Sequence, residues 1–330
     1  MHALADLTAA ELGRWQALYS AAGSRVQQSP DYAAALEHSG EDVAVASAGD
    51  AVAILTVAGG RATMACAGIP VLSPGPAEPA IVADVLTRVH QVTGLPVYMP
   101  LADPSYAVLA ALGPFRTWER SPNSVIDWSR DGTDLLGRVR ERGGSQAARK
   151  RQMIERDGLV LDIGRHGEDA ARDMLAVDDR SWKAAAGQGM RQRGHQAGLY
   201  SRLISQGTAT VTFLRHRGTQ VAFRVDARAD NRLACLKWSY DQMYARYSPG
   251  AYLLTVGLLA EWTGCGITTI DLFGGPDHLK NLIYSHQVPR IDAWYGDDKA
   301  GAALEQERLA FDARLRATLQ AGKGLRHAYT

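Results

Sequence analysis

YARYSPGAYLLTVGLLAEWTGCGITTIDLFGG, residues Tyr244–Gly275, contains a Ser-Pro-Gly turn, an apolar segment and a β-branched run that ends on Gly274-Gly275. Ser248 is a favoured N-cap residue and Pro249 a favoured first helical residue, so the spacing predicts a helix over 249–263. AYLLTVGLLAEW is apolar nearly all round, which predicts a buried helix. ITTIDLF (267–273) reads as the strand that follows it. A helix start beside a strand end leaves backbone N–H groups and the helix dipole facing one place, and both favour negative charge there. Two readings stay open: the turn starts a core helix, or it holds an anion, whether a cofactor phosphate, a nucleic-acid phosphate or a reaction oxyanion.

Upstream, TVTFLR (210–215), QVAFRVDA (220–227) and RLACLKWSY (232–240) form an antiparallel meander. Before it come the strand LVLDI (159–163), a helix around Asp169–Trp182 and the helix Leu199–Ser205, and after Gly275 come the strand VPRIDAWY (288–295) and a helical tail. The first half repeats this order. DVAVASA (42–48), AVAILTVA (51–58) and RATMACA (61–67) are a meander, followed by a helix through Val92 and the strand PVYMP (96–100). YAVLAALG (106–113) reads as a helix and NSVIDWS (123–129) as the last strand of this half. The fold class is therefore α/β in the α+β sense: twin domains, each a mixed, largely antiparallel twisted sheet flanked by helices. The domains run 1–130 and 131–300, with a helical tail over 301–330.

A chain of 330 residues fits two domains of about 150 residues each. Lys and Arg total 36 against 35 acids, so any nucleic-acid contact has to come from a local patch. The three widely spaced cysteines, Cys66, Cys235 and Cys265, argue against a disulfide framework or a zinc site and suit a reducing cytoplasm. The first residues lack a signal-peptide pattern, and no apolar run is long enough to span a bilayer. His278 and His286 have no companions at metal-ligand spacing, and no Gly-x-Ser-x-Gly elbow occurs, so neither a metal nor a serine nucleophile is expected.

The second half resembles the GNAT superfamily, and within it the branch of the Fem-type aminoacyltransferases and CelD-like acyltransferases. RKRQMIERDGLVLDI (149–163), DRSWK (179–183), WSYDQMYARYSPG (238–250) and IDLFGGPDHLK (270–280) carry the resemblance, in that order. The first half fits as the degenerate twin domain of Fem-type enzymes. The resemblance implies two splayed neighbouring strands, RLACLKWSY and ITTIDLF, with the acyl donor between them. Where acyl-CoA enzymes have Arg/Gln-x-x-Gly-x-Gly/Ala, this chain reads Arg246-Tyr247-Ser248-Pro249-Gly250-Ala251. Pro249 removes one N–H from a phosphate cradle, which lowers the case for CoA. Fem-type enzymes have lost that loop and take aminoacyl-tRNA.

The resemblance places Lys280 as the cation that stabilises the developing oxyanion. Asp271, on a central strand, either pairs with a neighbour such as Lys280 or serves as a base. Tyr247 is a candidate proton donor to the leaving oxygen. Ser248, Gly250, Trp238 and Tyr240 are expected around the donor, and Trp182, Arg224 and Asp241 around the acceptor. Arg224 needs an acidic partner, which either the acceptor or Asp226 supplies. Arg138, Arg140, Arg142, Arg149, Lys150, Arg151 and Arg156 face only Glu141 and Glu155 in the same stretch. Of these, Arg149, Lys150 and Arg156 are the candidate tRNA contacts.

The expected activity is N-acyl transfer that forms an amide: an aminoacyl group moves from aminoacyl-tRNA, as co-substrate, to an amine of a small molecule or cell-wall (peptidoglycan) precursor. No further cofactor is expected. An acyl-CoA-dependent N-acyltransferase is the alternative, and a non-catalytic module that binds RNA or a peptide is a third. The expected location is the cytoplasm, without membrane insertion.

Overall fold

The computed structural model describes residues 2–21, 25–48, 50–66, 71–73, 78–112, 114–142, 145–275 and 277–327. Gly113, the last residue of the helix expected over 106–113, lies outside them. Twelve strands are present among these residues. In chain order they are β1 His2–Ala3, β2 Val43–Ala48, β3 Ala51–Ala58, β4 Arg61–Met64, β5 Val97–Ala102, β6 Phe115–Asp127, β7 Leu159–Arg165, β8 Thr210–His216, β9 Thr219–Ala229, β10 Arg232–Tyr240, β11 Thr269–Asp271 and β12 His286–Tyr295. The β4–β5 and β10–β11 pairs are parallel, and the other pairings resolved strand by strand are antiparallel. The mixed, largely antiparallel architecture expected from the element order is the one observed.

The chain divides into two compact units, Met1–Ser121 with Pro289–Leu325, and Pro122–Val288 with the last five residues. In the first unit, the β2–β3–β4 meander leads through the helix Pro79–Thr93 into β5, parallel to β4, and β12 adds antiparallel to β5. Val82, Val85, Leu86 and Val89 lie at helical spacing and seat that helix on the sheet. The helix Asp298–His327 docks through Leu304 against Trp294, Tyr98 and Trp118.

The second unit repeats the scheme. The β8–β9–β10 meander leads through the helical stretch Pro249–Trp262 into β11, parallel to β10, and β6 adds antiparallel to β11. Each unit thus takes its last strand from the far end of the other chain half. This is why the division falls inside β6, at Ser121/Pro122, rather than at 130/131, and why residues 289–325 join the first unit rather than the second domain and a separate tail.

Three elements differ from the sequence expectation. β6 starts at Phe115: the mostly polar residues 116–121 and Pro122 mask a strand whose continuous buried run is residues 123–126, with Trp118 buried ahead of it. Pro104–Leu112 winds as a 3-10 helix, and its buried Tyr106 and Leu109 sit at the period of three that this helix favours. In the apolar helix, Leu253–Gly257 widens to π geometry, with Leu258 N–H bonding the Leu253 carbonyl. Its Leu253, Leu254 and Leu258 are fully buried. Leu254 and Leu258 join Ile126, Leu233, Ile270, Leu272 and Ile283 in one core cluster, and Leu253 joins Ile154, Leu159, Leu214 and Tyr247 in a second.

Candidate active site

β10 and β11 pair only over Arg232–Ala234 and Thr269–Asp271. Past that point, β10 bulges between Cys235 and Lys237 and stays with β9, while Leu272 N–H bonds the Ser124 carbonyl of β6. The bulge puts one extra residue into β10 and increases its local twist, just where its ladder with β11 ends. Trp238 lies on the segment of β10 beyond that ladder. The helix that begins at Pro249 approaches it so closely that a methyl on Gly250 would lie 3.7 Å from the Trp238 ring, 3.8 Å from Leu279 and 3.9 Å from Tyr240.

Lys280, the first residue of the short helix Lys280–Ile283 that follows β11, reaches the same indole. Its side chain is buried, and its ammonium lies 5.4 Å from the Trp238 ring centroid. It donates to the Phe273 carbonyl, to the Gly275 carbonyl at 3.1 Å, and stands 4.0 Å from an Asp277 oxygen. Phe273 (φ 42°) and Gly274 (φ 73°) are both left-handed, which aims these carbonyls at the ammonium. A phenylalanine held in that region costs free energy, and such strain concentrates at functional sites. Burial lowers the Lys280 pKa, with Asp277 and Asp271 opposing. Asp271 also accepts from Phe273 N–H at 2.9 Å and thereby braces the turn that presents Lys280's acceptors.

A second lysine, which the sequence reading passed over, completes the cluster. Ser181 caps the short helix Trp182–Ala185 and bridges Asp241, which sets Lys183 beside β10. Lys183 Nζ donates to the Trp238 carbonyl at 2.8 Å and lies 6.0 Å from the Trp238 ring centroid. Burial, then the nearby Lys237 ammonium, push its pKa down to about 7. Its signal was present in the DRSWK segment, but a lone lysine on a short helix has no pattern that announces burial. Trp182 next to it is half-buried.

The other expected site residues are engaged elsewhere. Tyr247 is buried, donates to Asp157 at 2.9 Å and accepts from Arg246 at 2.7 Å. Asp241 accepts from Arg180 at 2.7 Å and from Met243 N–H at 2.9 Å, so it holds the turn after β10. Arg224 is fully buried, 2.7 Å from both Asp226 and Glu261, and also donates to the Leu253 carbonyl of the π segment. Its acidic partner is therefore internal. Ser248 occupies the N-cap position in a left-handed conformation and makes no side-chain capping bond.

The basic run splits in two. Arg138 donates to the Ile283 carbonyl at 3.0 Å and Arg142 to the Tyr284 carbonyl at 2.7 Å, which clasps the end of the Lys280 helix. On the helix Ser145–Arg156, Arg149 is exposed, Lys150 bonds the Arg246 carbonyl, and Arg156 pairs with Asp157 at 2.7 Å. Arg156, Asp157, His216, Arg217, Arg246 and Tyr247 line an open, cation-rich pocket of about 430 Å3.

Cys66 and Cys235 are buried and Cys265 is exposed; burial raises the Cys235 pKa well above its ordinary value, which makes it a poor nucleophile. Among the described residues, no group of His, Cys, Asp and Glu is arranged to hold a metal ion, and no helix is long and apolar enough to cross a membrane.

Residues 142–281 match the family model described as an acetyltransferase (GNAT) domain. No curated protein sequence matches the chain. Among solved structures, L-PGS from Bacillus licheniformis superposes with a TM-score of 0.62 at 15% identity over 91% of this chain and 96% of that one. FemX gives 0.63 at 11% identity over 92% and 98%. A tandem GNAT protein from the clavulanic acid biosynthesis pathway gives 0.51 at 12% identity over 90% and 98%. The strand–helix–strand arrangement of β10, the Pro249 helix and β11 agrees with the family match: residues 142–281 form an acyltransferase domain of the GNAT kind.

Proposed function

We propose that the domain moves an aminoacyl group from aminoacyl-tRNA to the amine of a small-molecule or peptidoglycan-precursor acceptor. The observation that carries this over an acyl-CoA donor is the state of the Arg246–Tyr252 backbone. Ser248 N–H bonds the Ala245 carbonyl, Ala251 and Tyr252 N–H both bond the Ser248 carbonyl, and Pro249 has no N–H. A pyrophosphate cradle needs several convergent free N–H groups, and here most of them are already bonded or missing. The Fem-type resemblance supplies aminoacyl-tRNA as the donor, and the exposed Arg149 and the cation-rich pocket suit its phosphates.

In this reading the donor ester lies between β10 and β11, beside Trp238 and Gly250. An acceptor amine attacks its carbonyl, and Lys280 faces the oxygen on which charge develops. The test is acyl transfer by the purified protein from charged tRNA and, in parallel, from acyl-CoA, against a panel of amines. Transfer from charged tRNA alone supports the reading. Transfer from acyl-CoA alone replaces it with the CoA-dependent one, and no transfer from either leaves a binding module.

A further inference from the structure

Two amines lie near one indole, Lys280 at 5.4 Å and Lys183 at 6.0 Å from the Trp238 ring centroid, and their surroundings differ. Lys280 is anchored on the Phe273 and Gly275 carbonyls with Asp277 at 4.0 Å. Lys183 is anchored on the Trp238 carbonyl at 2.8 Å. The charged groups that act on Lys183 are Lys237 and Arg193, which disfavour its protonation, and Asp178 and Asp277, which favour it. Asp178 also accepts from Met190 N–H, and Lys237 donates to Gln196. Burial and the two cations outweigh the two carboxylates, so Lys183 gives up its proton more readily than an ordinary lysine.

We propose that Lys183 is the proton acceptor of the transfer, working beside Lys280, whose amine is held on the Phe273 and Gly275 carbonyls. The proposal rests on acyl transfer to an amine at this site. A neutral acceptor amine attacks the donor carbonyl carbon and the N–C bond forms. The proton lost by that nitrogen passes to the lone pair of Lys183 Nζ. As the tetrahedral carbon expels the donor's leaving oxygen, Lys183 returns the same proton to it, so that an amide and an alcohol result and Lys183 is neutral again. The location of Nζ, on the carbonyl of the residue whose ring flanks Gly250, puts it beside the bonds that form and break. A lysine with a pKa near 7 is neutral over a useful fraction of time at physiological pH.

The test has two arms. In the first, single-turnover rates are followed against pH for the wild type, Lys183→Met and Lys183→Arg. The wild-type rate should rise through about pH 7 and level off, whereas Lys183→Met should lose that rise and fall roughly 10²–10⁴-fold. Lys183→Arg should stay slow, because a guanidinium keeps its proton. A rise retained in Lys183→Met, or a wild-type rate in Lys183→Arg, overturns the proposal. The second arm needs no substrate: competitive acetylation of the intact protein with acetic anhydride, read on the Lys183 peptide. Titration near 7 supports the assignment and titration in the ordinary lysine range overturns it. If neither charged tRNA nor acyl-CoA supports transfer, the aminoacyl reading fails while this arm still decides the state of Lys183.

Discussion

Arg142 grips Tyr284 twice, donating to its carbonyl at 2.7 Å and lying 4.7 Å from its ring centroid. Tyr284 caps the short helix Lys280–Ile283, so an exposed arginine holds the end of the element that carries Lys280. Arg142→Ala is expected to lower turnover while stability changes by no more than about 1 kcal/mol, since an exposed cation–π contact contributes about 0.5–1 kcal/mol. Single-turnover rates and urea unfolding curves check this. Unchanged turnover would mean that the contacts of Lys280 with Phe273 and Gly275 suffice to place it.

Lys280→Met keeps the apolar stem and deletes the charge. If that charge acts only on the developing oxyanion, turnover should fall about 10²–10³-fold with donor affinity nearly intact. Rate and donor binding measured on the same variant separate the roles: a matching loss of affinity reassigns Lys280 to donor binding.

Replacing Arg149, Lys150 and Arg156 together with Ala should weaken tRNA binding and flatten its salt dependence by a slope of up to ~3. Lys150 bonds the Arg246 carbonyl and Arg156 pairs with Asp157, so each has a second duty. An effect carried mainly by Arg149 is therefore the cleanest sign of phosphate contact. The slope of log K against log salt for the single and triple variants is the measurement.

Arg224→Met would leave Asp226 and Glu261 buried without their cation. Breaking a buried pair in this way costs about 3–5 kcal/mol, and burial already raises the Glu261 pKa. Denaturant unfolding at neutral pH should show a loss of that size, partly recovered at acid pH where Glu261 takes up a proton. A loss below about 1 kcal/mol would show that water reaches the cluster.

Lys183 makes stability depend on pH. Its folded-state pKa is near 7 and its unfolded value near 10.5, so between these the unfolded chain binds more protons. Stability therefore rises with pH across that window, and the cost of burying the ammonium is fully present below it. Lys183→Met should flatten this rise and stabilise the protein most below pH 7. Melting curves at several pH values check both, and a variant with the wild-type slope would assign the dependence to another group.

Much of the second unit was legible because its strands announce themselves locally. RLACLKWSY and QVAFRVDA are β-branched or aromatic runs ended by turn residues, and they became β10 and β9. The Ser-Pro-Gly turn did start a buried helix, and Lys280, Trp238, Tyr240 and Gly250 did come together. Tyr247, Asp241 and Arg224 carry the same chemistry on paper. What separates them is the partner each finds, Asp157, Arg180 and the Asp226–Glu261 pair, and those partners lie 90, 61 and, for Glu261, 37 residues away.

Local chemistry in the chain determined the order of helices and strands, the buried apolar helix behind Pro249 and the missing N–H at its start, because propensity, periodicity and proline act within a few residues. Tertiary structure alone decided which strand closes each unit, where the ladder of β10 and β11 ends, and which charges are buried. Nothing local in β6 or β12 names its neighbour, and only long-range pairing sets β6 beside β11 and β12 beside β5. Lys183 shows the same limit at a single residue. Its proton affinity is set by desolvation and by Lys237, Arg193, Asp178 and Asp277, which four separate stretches of chain bring to it.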